Sequence, residues 1–446
     1  MKQKLKWAGL GAALILAACG AKFWPAQWSA QYAVQDSQVA TSQSVSRELA
    51  DGSIRVAYRR DDDTLVVDTY DTTGLALQQD EFQLPFPSHF QFGVAPLFLD
   101  DNLLVWFGRN DRDSVLIDVA TQTVASLHEV LALDLPLDIS FEIADAVVLD
   151  NGQLVLVGGD RRSPTSPFRQ ARVAVMHPGG SVESSVLAVG TSFSNVVARS
   201  GSDQYFVQYF EFDTTVPATV AFTFLGEGSV LMEQPQIDRG SLLQADLAGA
   251  WASGVFAAGL LHYNADLVLD WQDLSILVRK LVSTSDQHYL MLQLIDEQMA
   301  VVKRDAQAAV VWQRPASADA TIFGGLAERD GRILYSESFS SRVKSVRTLP
   351  DDPAEGLPIT TVAEKVRHRI LDANGKELHR FKEPDYKAVL PRDPFTDLEG
   401  DALEYTAGSC QHFQGMLLAG GQFASVSRWC GDNGLDNQQE SVFYFQ

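Results

Sequence analysis

Cysteine is scarce in this chain: three residues in 446, with no C-x-x-C pair, which argues against dithiol redox chemistry and thiolate-rich metal sites. The eight histidines (His89, His128, His177, His262, His288, His368, His379 and His412) are scattered without metal-ligand spacing. No H-E-x-x-H, G-x-S-x-G or phosphate loop occurs, and no G-x-G-x-x-G follows a strand. Helical periodicity is nearly missing, since no long stretch keeps apolar residues at i, i+3, i+4 and i+7. Base is short as well, at 35 Lys and Arg against 57 Asp and Glu. A surface that acidic repels phosphate backbones and excludes nucleic acid as a partner. The apolar run Trp7–Ala18 holds twelve residues, short of the about twenty a membrane helix needs.

What is present is β-structure in repeated units. The clearest spans 141–188: the apolar stretch 141–149, the turn Asp150-Asn151-Gly152, the run 154–157, a polar loop over 160–170, the run 171–176, the turn Pro178-Gly179-Gly180 and the run 182–188. Four short β-branched runs bounded by turn formers predict four antiparallel strands. One such sheet has two faces to bury and covers neither alone, so copies must stack. Second strands are expected at 54–58, 103–107, 154–157, 205–207, 255–259, 289–292, 333–335 and 416–419. Outer hairpin turns recur near Thr73-Gly74, Thr121-Gln122, Gly179-Gly180, 226–228, Asn264-Ala265, Asp305-Ala306 and 373–375. A spacing of about 50 residues fits the four-stranded blades of a β-propeller. The expected fold is therefore all-β, with eight blades; seven is the alternative, because 242–261 also reads as a helix or as two strands.

The first residues carry their own address. Lys2, Lys4 and Lys6 precede the apolar run, which ends in Leu16-Ala17-Ala18-Cys19-Gly20. This segment resembles the leader and lipobox of bacterial lipoproteins. The resemblance implies removal of residues 1–18, acylation of Cys19 and, with Gly20 following, transfer to the outer membrane on its periplasmic face. Residues 19–27 would be a lipidated tether reaching at most about 30 Å, and 28–446 one propeller domain.

The last unit lacks a strand, and the isolated run Trp28–Val34 is expected to supply it, closing the ring between the two chain ends. In an oxidising periplasm Cys410 and Cys430, about twenty residues apart, are expected to pair, at a stabilisation of roughly 3 kcal/mol. Two acidic clusters, 61–63 and 432–437, offer oxygens. The second, with Asp432 and Asp436, lacks the full calcium-loop pattern and reads as a solvated turn, so no metal or cofactor is expected. Residues 348–358, rich in Pro, Asp and Gly, form an inserted loop. The hairpin after it carries Lys365, Arg367, Arg369, Lys376, Arg380 and Lys382, and reads as a charged edge hairpin or a docking patch.

Two outer hairpins end in Trp-Gln, at 271–272 and 312–313. This looks like the repeat of quinoprotein-type eight-bladed propellers, in which the Trp packs between blades. Together with the lipobox, it is similar to the propeller subunit of the outer-membrane β-barrel assembly machinery. That family's Ala-x-Asp-x-x-Thr-Gly stretch is not kept; residues 117–122 and 68–74 come nearest. The resemblance implies a scaffold that holds an envelope protein. The competing expectation is an enzyme, a hydrolase or lyase acting on a cell-wall or extracellular polymer, with acids and histidines gathered at the axis. No catalytic residue is assigned by either reading.

Overall fold

In a computed structural model the described residues are 24–33, 44–59, 64–84, 94–108, 110–162, 170–189, 191–198, 203–211, 219–226, 229–235, 240–246, 249–254, 259–264, 268–295, 298–317, 320, 322–347, 359–383, 386–390, 412–430 and 438–445. The leader, Cys19, the 348–358 insertion, both acidic clusters and Cys410 lie outside them. Cys430 ends a described strand, but the expected disulfide lies outside the described structure.

The strands form consecutive antiparallel sheets. Sheet I comprises Val45–Glu48, Ile54–Arg59, Thr64–Tyr70 and Ala76–Gln83; sheet II comprises Leu97–Phe98, Leu103–Trp106, Val115–Asp118 and Thr123–Ser126. Sheet III is Ser140–Val148, Leu154–Arg161, Gln170–Met176 and Val182–Val189; sheet IV is Thr191–Ala198, Tyr205–Glu211, Thr219–Gly226 and Ser229–Pro235. Sheet V runs Gly240–Asp246, Gly249–Gly254, Leu260–Asn264 and Leu269–Asp273; sheet VI runs Leu277–Ser283, Tyr289–Ile295, Gln298–Arg304 and Val310–Pro315. Sheet VII is built on Ile322–Arg329, Arg332–Arg347, Ile359–Leu371 and Glu377–Lys382. Sheet VIII is His412–Leu417, Phe423–Cys430, Gln438–Phe445 and Trp28–Ala33.

Among the described residues the plain four-stranded blade occurs seven times, not the expected eight. Sheet VII departs from the pattern with six strands, because its middle hairpin is elongated and recruits two more. Tyr386–Leu390 pairs with the extension of Ile359–Leu371, and Trp24–Pro25 adds in parallel to the outer strand Glu377–Lys382. The tether expected over 19–27 is thus partly strand, and the basic hairpin's edge is covered at Phe381 and Lys382. Two expected second strands also move. In sheet V that strand is Gly249–Gly254, and the described parts of 242–261 are strand rather than helix. In sheet VIII, residues 416–419 belong to the end of the first strand and its turn, and Phe423–Cys430 is the second strand. Both errors come from apolar runs that cross a turn without a break in hydrophobicity.

Middle strands are mostly buried, and Thr64–Tyr70 is buried along its whole length, because a neighbouring sheet covers each face. The core accordingly sits at the joints. Phe82, Leu104 and Ile117 join sheets I and II; Phe107, Phe141 and Leu156 join II and III; Val157, Val173 and Val207 join III and IV. Trp251, Tyr289 and Met291 join V and VI, Leu292, Tyr335 and Leu371 join VI and VII, and Leu334, Phe381 and Phe445 join VII and VIII. The expected closure is present: Trp28–Ala33 pairs antiparallel with Gln438–Phe445, Trp28 opposite Tyr444. Ile54, Val56, Leu418 and Tyr444 then pack sheet VIII onto sheet I.

Tryptophans on outer strands pin one sheet to the next. Trp312 donates through Nε1 to the Ala373 carbonyl at 3.0 Å, across the outer turn of sheet VII. Trp271 packs edge-on against Trp251, its centroid 5.7 Å away, within the joint to sheet VI. Trp28 repeats the Trp312 contact at the closing joint, donating to the Thr72 carbonyl at 3.2 Å. The turns beneath require glycine twice over. Gly74 and Gly375 have φ of +87° and +77°, and a Cβ there would lie 2.5 Å from the Trp28 ring and 2.8 Å from the Trp312 ring. Gly180 shares the backbone conformation, at φ +82°, with nothing within 4 Å.

Two outcomes follow from these turns. Gly180→Ala should cost only the left-handed backbone term of about 1–2 kcal/mol. Gly74→Ala should add an overpacking cost of roughly 1–3 kcal/mol, which urea unfolding of the two variants would separate. The second outcome concerns pH. Hydrogen bonds from Thr73 hold the Asp71 carboxyl below the ordinary Asp value of 3.8, and the Thr121 amide does the same for Asp118. A depressed folded pKa means that the unfolded chain binds more protons in this window, so stability rises with pH there. Melting temperature should therefore fall as pH drops below the ordinary value of 3.8 set for these groups. Thermal scans from neutral to acidic pH read it, and a flat profile through that window would refute the contribution.

Candidate functional site

The one Ser–His–carboxylate constellation among the described residues lies in the joint between sheets VII and VIII. Ser336 and His368 stand on neighbouring strands of sheet VII, Glu383 follows its outer strand, and Ser425 comes from sheet VIII. His368 Nδ1 is 2.9 Å from Ser336 Oγ, and Nε2 is 2.9 Å from Glu383 Oε1. Ser425 Oγ donates to the same carboxylate oxygen at 2.9 Å. The connectivity is that of an acyl-transfer triad. The location is not: His368, Ser336 and Ser425 are 0% exposed and Glu383 is 1% exposed. Phe423 and Phe445 cover the imidazole, both centroids 5.1 Å away. No substrate reaches Ser336, so the cluster is a polar pin inside an apolar joint.

Other histidines are tied down in the same manner. His128 bonds Asp111 at 2.6 Å, and Asp111 also accepts the Phe141 amide at 3.0 Å, linking sheets II and III. His262 bonds Asp270 at 2.6 Å, and His288 lies 3.3 Å from Asp286. Lys303, which bonds Asp286 at 2.6 Å, reaches the Ala373 carbonyl of sheet VII at 3.1 Å. The basic hairpin is also largely committed: Glu377 accepts from Arg314, Arg369 and Arg380, while Arg369 also bonds the buried Glu337 at 2.8 Å. Among the described residues, no group of three or more His, Cys, Asp and Glu is arranged to hold a metal. Among the described residues, His128, His262 and His368 are each held by a carboxylate within or beside a sheet joint.

The accessible site is an open cleft of about 580 Å³ where first-hairpin turns of four sheets meet beside the ring closure. Sheet I gives residues 48–52 and Thr72, sheet II Asp101, sheet VII Arg329, and sheet VIII Leu418, Ala419, Gly420, Gln422 and Tyr444. Glu48 organises it. Its carboxylate pairs with Arg329 and accepts the Ala419 amide at 2.8 Å, fixing three sheets at once. Arg329 continues to the Leu417 carbonyl at 3.1 Å. Asp101 on the far wall pairs with Arg47 at 3.0 Å. Tyr444 floors the cleft, stacked on Trp28 at 5.5 Å; burial, with Glu48 near, pushes its phenol pKa up. Asp51 at the rim is held below its usual range by hydrogen bonds from Ser53.

None of these cleft residues was singled out by sequence. Glu48 and Arg329 are 281 positions apart, and neither sits in a motif. The only local signal was the recurring turn after each first strand, such as Asp51-Gly52 and Gly420-Gly421.

No protein-family model matches the chain, and no curated protein is similar to it in sequence. Solved structures are similar in shape. The β-propeller domain of the Trilobed protease from Pyrococcus furiosus is 9% identical at TM-score 0.41, covering 71% of this chain and 93% of that one. Prolyl oligopeptidase B from Galerina marginata is 9% identical at TM-score 0.45, covering 90% of this chain and 56% of that one. BBS1N, solved in complex with ARL6DN, is 12% identical at TM-score 0.41, covering 71% and 94%. The assignment to the β-propeller class rests on the strand pairing described above.

The buried quartet makes a stability prediction. His368→Ala should destabilise by about 3–5 kcal/mol, since it leaves the Glu383 carboxylate buried without its main partner. Glu383→Gln keeps an acceptor and should cost less, roughly 1–3 kcal/mol. Chemical denaturation gives both values, and equal small losses would show that the quartet does not hold this joint.

Proposed function

We propose that the protein is a non-enzymatic scaffold of the cell envelope, tethered to the outer membrane through acylated Cys19, that holds a segment of another envelope protein in the cleft. The observation that carries this reading is the cleft's construction from hairpin turns of four sheets, fixed by Glu48 and open to solvent. Loops presented on a rigid frame are the usual means by which a propeller binds a partner. The contrast with the Ser336–His368–Glu383 cluster supports it too, because the arrangement that resembles catalytic machinery is sealed. A polymer-cleaving hydrolase of the two-carboxylate kind needs a free carboxylate pair in the open site. There Glu48 is committed to Arg329 and Ala419, and Asp101 to Arg47. The proposed periplasmic location would also favour a Cys410–Cys430 disulfide bracing sheet VIII.

A photo-crosslinking residue placed at Gln422, in the cleft, should capture a specific envelope protein from intact cells. The same residue at Val186, on the outer rim of sheet III, should not. The capture should weaken strongly in a Cys19→Ala background, where the body is no longer held at the membrane. Identical profiles from the two positions would overturn the cleft as the binding site.

A further inference from the structure

Charge is not spread evenly around the rim of the ring. Residues 376–382, the turn end and outer strand of sheet VII, carry Lys376, Arg380 and Lys382 with His379 and a single acid, Glu377. The outer strands of sheets I, II, III, IV, V and VIII carry no Lys or Arg, and that of sheet VI carries only Arg314, which pairs with Glu377. Lys376, His379 and Lys382 are exposed, as are two large apolar side chains on the same rim, Leu378 at 44% and Trp24 at 54%. Trp24 is there because Trp24–Pro25 adds in parallel to this strand, opposite Phe381 and Lys382. The chain therefore leaves toward its N-terminus from the most basic of the described outer strands, in a protein of net charge −22.

We infer that the outer rim of sheet VII is a membrane-facing surface that lies against anionic headgroups, so that the propeller stands on its side with this rim against the lipid. The inference rests on the lipid anchor at Cys19 proposed above. From Cys19 to Trp24 is five residues, which at about 3.5 Å each span at most roughly 18 Å. So short a leash keeps this rim, rather than the cleft, nearest the bilayer. Basic side chains near an anionic surface each add attraction, and an exposed tryptophan sits favourably at headgroup depth. The outer strands Ala76–Gln83 and Leu269–Asp273, each with two acids and no base, would instead meet the same lipid with repulsion. The cleft, formed by turns beside the closing joint, is left facing along the membrane and free to take a partner.

Covalent footprinting of the full acylated protein tests the orientation. Water-soluble amine, carboxyl and arginine-selective dicarbonyl reagents are applied to protein on vesicles containing phosphatidylglycerol and to protein in detergent, and labelling is read by mass spectrometry. Labelling of Lys376 and Lys382 should fall by about fivefold or more on vesicles, as expected for groups held at an anionic surface, while Glu81 on sheet I and Glu183 on sheet III stay unchanged. Replacing both lysines (Lys376→Glu, Lys382→Glu) should leave the protein anchored but remove the preferred orientation, so that the sheet VII rim regains reagent access at Arg380. Equal labelling of the two lysines on vesicles and in detergent, or equal protection of Glu81, would overturn the inference. Failure of the acylated protein to float with vesicles at all would instead sink the anchoring reading.

Discussion

The pairing of Trp28–Ala33 with Gln438–Phe445 is the constraint on which the rest depends. An open stack of sheets would expose an unpaired face at each end, because the core of this protein lies between sheets rather than within them. Joining the chain ends in one sheet turns those two faces into one more joint, filled by Ile54, Val56, Leu418 and Tyr444. Trp28 then performs on the first sheet the task that Trp312 performs on sheet VII, packing over a glycine turn and donating to its carbonyl. The closing joint is therefore chemically equivalent to an internal one. The cleft depends on it directly, since Glu48 in sheet I holds the Ala419 turn of sheet VIII.

The joints also explain where the polar chemistry went. A sheet buried on both faces has few places for a charged group, and any that occur must be paired or hydrogen-bonded. Asp160 with Arg172, Asp111 with His128, and Glu383 with His368 all meet that demand in the interior. Each pair joins different elements, and the carboxylates of two reach on to the next sheet, Asp111 to the Phe141 amide and Glu383 to Ser425. Such pairs add geometric specificity to interfaces that apolar packing alone would leave free to slide. A His–carboxylate pair in a propeller is thus evidence of catalysis only when it opens to solvent.

How far the chain could be read depended on the range of each interaction. Strand pairs and turns were legible because they are local: Asp150-Asn151-Gly152 and Asn374-Gly375 announce hairpins that form as expected. The closure was legible by elimination, as one spare strand met one incomplete unit. Sheet V was not, because 242–261 keeps its hydrophobicity through the turns, and periodicity has nothing to mark there. The six-stranded sheet VII was hidden for a related reason: Trp24–Pro25 is two residues long, too short for any pattern. The cleft was invisible because Glu48, Arg329 and Ala419 become neighbours only when the ring closes.

That asymmetry bears on function. Residues that hold the joints repeat around the ring with the fold and are bound to the packing of neighbouring sheets. First-hairpin turns elsewhere also reach a neighbour, as Ser285 of sheet VI bonds Glu328 of sheet VII, but at the cleft Glu48 draws three sheets together and leaves Asp51 and Gln422 in the lining of an open mouth. A partner seated there contacts sheets I, II, VII and VIII, the sheets nearest the seam between the chain's two ends. It would thereby clamp the seam, so occupancy of the cleft and stability of the closed ring must be thermodynamically linked. The site's position makes the closing joint the one such a partner would most reinforce.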